Sequence, residues 1–508
     1  MSFSHADQWF RRRIVFSTLA LGRLLRRVLT TSERTYRLLF VPGLESARWR
    51  FGKWRAWLAY EQARRRVPAY REFVAAHGTP RVRARGLDPD LTVIPVTDKD
   101  NYVRRYSIEA RCMDGRIPGR GVVVDESSGT SGSPNNWVRG SVERAEVKQA
   151  LQIALHHQLG NEPLFVLNAF ALGPWATGMN VSMSVVDVAI LKSTGPDVEK
   201  IANTLRTFGP SYRYVITGYP PFLKTVVDSA GIDWEEYDVT AIYGGEGMTE
   251  TVRDYLGRAF GKVYGSYGAS DLEINLAAEN DFTIALRRLL TEREDLLERL
   301  GRHEQGLPLV FQYNPIDYFV EESPDGRLVV TLCRGANVAP KIRYDIRDLG
   351  HVVRFPELRH ALREHGVELG SLPPCTDLPL LFLYGRADDA VPYYGSKVTP
   401  ANVEEAVYSL PELAPVVNAF ALLLSEDDDA NKRLAIALEL HEGASEPSDL
   451  ERLRDDVVAR LSEVNQDFRE AVRFMPPEAV PTLEFHTAGS GPFAGHDVRL
   501  KRRYVLGR

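Results

Sequence analysis

Gly121-Val122-Val123-Val124-Asp125-Glu126-Ser127-Ser128-Gly129-Thr130-Ser131-Gly132-Ser133-Pro134 is the stretch on which the reading of this chain turns. The β-branched run at 122–124 reads as a short buried strand, and small or rigid residues fill 127–134 after it. Such residues cannot pack a core. Gly129 and Gly132 accept φ > 0, while hydroxyls and backbone N–H groups supply donors for an anion-binding concavity. A phosphate is the expected guest, although taken alone this loop fits a solvated Ser/Gly linker equally well.

Downstream, apolar runs alternate with helical stretches: helices over 145–159, 198–208 and 222–230, strands over 163–171, 214–217 and 240–243. This βαβ punctuation implies a mixed or parallel sheet with helices on its faces, where ligands sit at the carboxyl ends of the strands. Upstream, residues 51–77 read as a helix broken at Pro68, and Thr97 or Asp98 is placed to cap a further helix. The charged segment 284–300 reads as a surface insertion, and strands near 309–313, 318–321 and 328–332 as a compact antiparallel subdomain. After Arg386 the texture becomes a smaller α+β pattern. The expected fold class is α/β: a large N-terminal domain of mixed sheets flanked by helices plus a β subdomain, with a small mobile α+β C-terminal domain. The expected divisions are an N-terminal helical extension (1–50), the main domain (51–386) and the C-terminal domain (387–508).

At 508 residues the chain exceeds what one core serves, and its 44% apolar and 26% charged residues are those of an ordinary globular protein. A net charge of −5 argues against a nucleic-acid binder held by general basicity. Cys112, Cys333 and Cys375 are widely spaced and read as free thiols of a reducing compartment, so a cytoplasmic location is expected. Their spacing disfavours a metal site built from Cys333, His351 and Cys375. Arg11-Arg12-Arg13 before Ile14–Leu21 imitates a signal peptide, but Arg23, Arg26 and Arg27 interrupt the apolar run. No stretch approaches the roughly 20 apolar residues that span a bilayer. Leu21, Leu24, Leu25, Val28 and Leu29 instead mark one face of an amphipathic helix. Packing against the main domain is expected of it, with attachment to a membrane surface or a partner as the alternative.

Four further stretches bear chemistry. Tyr243-Gly244-Gly245-Glu246-Gly247-Met248-Thr249 lets backbone approach a flat ligand such as a purine. Tyr264-Gly265-Ser266-Tyr267-Gly268-Ala269-Ser270-Asp271 offers an aromatic platform, a hydroxyl for phosphate and a carboxylate for Mg²⁺. Arg343-Tyr344-Asp345-Ile346-Arg347-Asp348 and Gly385-Arg386-Ala387-Asp388-Asp389 add paired charges that, taken singly, are ordinary solvated ion pairs. Together, in this order, the five stretches resemble the adenylate-forming superfamily of acyl-CoA ligases, luciferases and peptide-synthetase adenylation domains. Ile94-Pro95-Val96-Thr97-Asp98-Lys99, Arg253 and Pro340–Leu349 are similar to its phenylacetate-CoA ligase-like branch.

The resemblance implies an ATP phosphate grip by Ser127, Ser128, Gly129, Thr130, Ser131 and Gly132, with Asn135 standing where the family carries Lys. It implies adenine contact through Gly244, Gly245 and Glu246, and AMP contact through Tyr267 and Gly268. Asp271, which replaces the family's Glu, would bind Mg²⁺ beside Ser270, Asp348 would hold ribose, and Arg386 ribose or phosphate. Asp388 would be the hinge and Lys501 the catalytic lysine, although no glycine precedes Lys501 directly. The implied reaction is ATP-dependent activation of a carboxylic acid, aromatic or small, to an acyl-adenylate with pyrophosphate release, then transfer to a thiol such as CoA. Transfer to an amine, a carrier-protein thiol or a small nucleophile such as nitrite is the alternative, and a degenerate nucleotide-binding protein the rival from another class. Phe165, Phe170, Trp175, Met179, Tyr219, Tyr243 and Tyr267 are candidates for an aromatic-acid pocket, or for core.

Overall fold

The structure, a computed structural model, describes residues 5–29, 40–126, 135–173, 176–302, 306–334, 336–386, 391–393, 396–426, 432–472, 475, 477–494 and 504–507. Helices His5–Leu29 (α1), Glu45–Arg66 (α2) and Pro68–Ala76 (α3) open the chain, with Pro68 at the first helical position, where its missing N–H costs nothing. Val122–Glu126 (β1) pairs antiparallel with Asn136–Gly140 (β2). Ser141–Leu159 (α4) then leads into Leu164–Asn168 (β3), Ala176–Val185 (α5), Ile190–Ser193 (β4), Val198–Phe208 (α6) and Arg213–Gly218 (β5). Pro220–Ser229 (α7), Asp238–Gly244 (β6), Glu250–Leu256 (α8) and Lys262–Tyr267 (β7) complete the alternation. After Ala277–Ala278 (β8) come Asp281–Glu292 (α9), Glu294–Leu300 (α10), Leu309–Tyr313 (β9), Tyr318–Glu322 (β10), Arg327–Leu332 (β11), Tyr344–Val353 (β12), Phe355–Glu364 (α11) and Leu380–Arg386 (β13).

These strands form one eleven-stranded sheet in the order β10-β11-β12-β13-β9-β8-β7-β6-β5-β3-β4. The half from β4 to β7 is parallel, and every pairing from β7 to β10 is antiparallel. All five residues of β3 are buried, as expected of a parallel strand covered on both faces. The C-terminal part carries a separate sheet in which Val417–Glu426 (β14) and Lys432–Leu440 (β15) lie between Val505–Gly507 (β17) and Thr482–His486 (β16). Pro400–Tyr408 (α12) packs with them, and one apolar cluster runs from Leu205, Leu223 and Leu256 through to Val403, Leu422 and Leu438.

Four expectations are corrected. The strands at 309–332 are no separate subdomain, because they extend the parallel sheet edge to edge. β1 lies outside that sheet and is not buried throughout: Val124 is half exposed, and the strand's partner is the segment returning from the 127–134 loop. Segment 284–300 is no surface insertion. Phe282, Leu286, Leu290, Leu296 and Leu300 are buried against Leu358 and Leu362 of α11 and Val310 and Phe382 of the sheet, so a four-residue apolar spacing outweighs the charges between. In α1 the packed residues are Val15 and Leu19, whereas Leu21 and Leu25 face solvent.

Candidate functional site

A cleft of about 630 Å³ opens at the carboxyl ends of β5, β6 and β7. Gly244, Gly245 and Glu246 leave β6 along its edge, with Gly245 at φ +84, a conformation that disfavours a side chain. Tyr267, Gly268, Ala269, Ser270 and Asp271 leave β7 beside them. A Cβ on Gly268 would lie 2.5 Å from the carbonyl oxygens of Glu273 and Ile274, so only glycine lets the 268–274 loop fold back on itself. Asp348 and Arg386 face each other as register partners on β12 and β13 and complete the rim. Tyr267 donates its hydroxyl to Asp348 Oδ2 at 2.6 Å, and burial together with that carboxylate pushes its pKa well up.

Asp271 is buried, and its Oδ2 accepts the Tyr344 hydroxyl at 2.8 Å and pairs with Lys99 Nζ at 3.1 Å. Lys99 arrives there by a chain of local and distant bonds. Asp98 caps the short helix that starts at Lys99 by accepting the N–H groups of Asp100 and Asn101. Thr97 is stitched to the 343–345 segment: its N–H donates to Arg343 O at 3.0 Å, and Asp345 N–H returns to Thr97 O at 2.8 Å. Arg343 and Arg347 sit at φ +44 and +66, held there by Thr331 Oγ1 and Asp345 Oδ1. A side pocket of about 90 Å³ continues beside Asp271, lined by Lys99, Arg104, Arg347 and Arg386 with Asp345, a concentration of cations suited to an anionic guest.

The loops rest on buried charges. Arg253 pairs with Glu279 at 2.6 Å and donates to Val263 O at 2.6 Å, while Tyr243 and the Gly265 N–H also bond Glu279. Arg139 ties the Ser270 and Leu272 carbonyls at 2.6 and 3.0 Å and pairs with Asp125 at the base of the 127–134 loop. Lys341 lies 4.5 Å from the centre of the Trp137 ring, its pKa lowered to about 7 by burial and by Arg111 and Arg139. The C-terminal part reaches the same loops: Glu404 accepts the Thr249 N–H at 3.0 Å, and Tyr504 donates to Glu246 at 2.8 Å.

Of the site residues expected from sequence, Gly244, Gly245, Glu246, Tyr267, Gly268, Ser270, Asp271, Asp348 and Arg386 all line this one cleft. Ser127, Ser128, Gly129, Thr130, Ser131, Gly132, Asp388 and Lys501 lie outside the described residues, although Glu126, just before the loop, lines the cleft. Of the aromatic candidates, Phe170, Tyr219 and Tyr267 line the cleft. Phe165 and Tyr243 belong to the core beneath it, Met179 does not line it, and Trp175 lies outside the described residues. Lys99, Glu279, Glu404 and Tyr504 escaped the site assignment. Lys99 ends the Ile94–Lys99 motif, but nothing in the spacing shows what it touches. Among the described residues no group of three or more His, Cys, Asp or Glu side chains could hold a metal, and Cys333 and His351 bond backbone carbonyls.

The sheet brings these loops to one cleft, as the resemblance to adenylate-forming ligases implies. No family model matches the chain. It is 26% identical over 367 residues to a phenylacetate-coenzyme A ligase of Thermus thermophilus, covering 69% of this chain and 73% of that protein. It is 23% identical over 402 residues to a phenylacetate-coenzyme A ligase of Aromatoleum evansii, covering 77% and 81%. In fold it is similar to a 2-hydroxyisobutyryl-CoA ligase in the postadenylation state, with a TM-score of 0.65 and 14% identity over 92% of this chain and 91% of that one. The phenylacetate-CoA ligase-like reading of the sequence is thereby supported.

Proposed function

We propose that this chain activates a carboxylic acid with an apolar body by attack on the α-phosphate of ATP, and passes the acyl group to CoA. The observation that carries the reading is the convergence of a purine-compatible glycine edge, a carboxylate for ribose, and cations beside a buried carboxylate, in a single cleft. The barrier to adenylation lies in bringing two anions together while charge builds on the phosphoryl oxygens, so positioned cations are the chief requirement. Lys99 and Arg386 fill that role at the rim, and Asp348, oriented by Tyr267, accepts the ribose hydroxyls. Lys99 and Tyr344 both bond Oδ2 of Asp271, which leaves its other oxygen for Mg²⁺. Bound there and by the nucleotide's phosphates, Mg²⁺ would neutralise phosphoryl charge. Tyr504 on Glu246 tethers the tail three residues from Lys501, which supports Lys501 as the lysine that steadies the α-phosphate. Ser127–Pro134 as the pyrophosphate grip and Asp388 as the hinge of the 387–508 unit rest on the resemblance.

The inner wall favours an apolar acid. Leu151, Leu155, Val166, Val181, Val215 and Ile242 form it. The polar groups among them are engaged elsewhere: Gln158 with Glu279 O, Thr217 with Asn168, Tyr264 with Asp281. An ammonium or hydroxyl on the acid's body would therefore lose its hydration without a partner here. An aryl or aliphatic acid, as in the relatives' phenylacetate, fits. Because ATP and CoA are cytoplasmic metabolites, we place the reaction in the cytoplasm.

ATP–pyrophosphate exchange against a panel of aryl, aliphatic and amino acids, followed by CoA, tests the reading. Exchange with apolar acids and a CoA-dependent thioester are expected. ATP binding without exchange on any acid overturns the ligase reading. Exchange without a thioester overturns CoA and points to an amine, a carrier thiol or nitrite as acceptor.

A further inference from the structure

Helix α1 is apolar on two opposite sides. Its inner side is accounted for: Val15 and Leu19 are buried, Phe16 packs on Trp57 with ring centres 5.2 Å apart, Gln8 bonds Ala84, and Arg12 pairs with Glu61. At about 100° per residue, Phe10, Ile14, Leu21 and Leu25 fall within about 60° of one another, roughly 130° round the helix from Val15 and Leu19. These four are 60%, 37%, 69% and 58% exposed. A helix that shows large apolar side chains on both sides has, in water, one side without a partner.

The charge beside this stripe says what covers it. The 25 residues of α1 hold six arginines against one aspartate, a net of +5 within a chain of net −5, so the remaining residues carry −10. Exposed Arg13 stacks its guanidinium 4.5 Å from the Trp9 ring centre, and Arg23 is exposed further along. A second copy of the chain is disfavoured, since a two-fold contact would bring one +5 helix against another. A long helix with Phe, Ile and Leu on one side, flanked by Arg13 about 60° before Phe10 and Arg11 about 40° beyond Leu25, matches the composition of helices that lie in a lipid interface. No described helix is long and apolar enough to cross a membrane.

We propose that α1 is an in-plane membrane anchor, seating Phe10, Ile14, Leu21 and Leu25 among the acyl chains of an anionic bilayer surface while Arg13 at the edge of the stripe meets lipid phosphates.

Sedimentation of the full chain with vesicles tests it. Wild-type chain is expected to co-sediment with phosphatidylglycerol/phosphatidylcholine vesicles, to bind pure phosphatidylcholine at least tenfold more weakly, and to be released by high salt. Phe10→Ser/Leu21→Ser is expected to lose about tenfold or more in partitioning, and Arg13→Gln about fivefold, with unchanged melting temperatures because these side chains are exposed. The salt release needs no variant and keeps the test independent of folding. No binding to anionic vesicles overturns the proposal, as does equal binding to neutral ones. A dimer in light scattering that Leu21→Ser dissolves, without vesicle binding, assigns the stripe to a second copy instead.

Discussion

Replacing Glu404 by Gln is expected to make the protein more stable in mildly alkaline solution while leaving it unchanged in acid. Glu404 lies in the first turns of α12, buried, and accepts the Thr249 N–H at the end of the glycine-rich loop after β6. Burial pushes its pKa from the ordinary 4.5 up to about 7, with Glu405 and Glu246 adding to the effect and the Thr249 bonds opposing it. The folded chain thus holds a proton that the unfolded chain has already released. Its contribution is complete below about pH 4.5 and is lost as pH rises to about 7, which at about 1.4 kcal/mol per pH unit amounts to about 3 kcal/mol. Gln cannot ionise, yet its carbonyl oxygen can accept the same N–H. Thermal melting of both proteins at about pH 5 and about pH 8 reads the difference: near coincidence in acid, and a gain of several degrees for Glu404→Gln at the higher pH. Glu143, likewise raised to about 7 by burial, leaves a common pH dependence in both proteins that the comparison subtracts. A variant that melts lower than wild type by the same amount at both pH values would refute the reasoning, since the carboxylate would then be contributing as an ion.

Lys99→Met should slow ATP–pyrophosphate exchange by about 10²–10³-fold, the usual cost of removing one positioned stabiliser of phosphoryl charge, with Lys99→Arg recovering part of it; unchanged exchange would take Lys99 out of the reaction. Lys501→Ala should cut exchange by a similar factor, and near-normal turnover would remove Lys501 from the site. Gly268→Ala drives a methyl against two backbone carbonyls, so a loss of about 1–3 kcal/mol in denaturant melts and weaker nucleotide binding are expected. Arg253→Met strands the buried Glu279 carboxylate, which should cost about 3–5 kcal/mol and be relieved in part by adding Glu279→Gln.

The parallel half of the sheet was readable because each of its strands is a local apolar run bounded by turn residues, and periodicity needs no knowledge of neighbours. The 284–300 helices were misread for the same reason inverted: their buried leucines alternate with charges, and only α11 and the sheet show which side is covered. By itself the sequence determined the loops that bear chemistry, since glycines, hydroxyls and carboxylates at strand ends are properties of adjacent residues. Only the tertiary structure decided that Lys99 meets Asp271, that Arg253 braces Glu279, and that Glu404 and Tyr504 reach the glycine-rich loop after β6. Those partners stand between 26 and 258 positions apart, and attraction between such groups depends on distance and burial in space, which no local pattern of residues encodes.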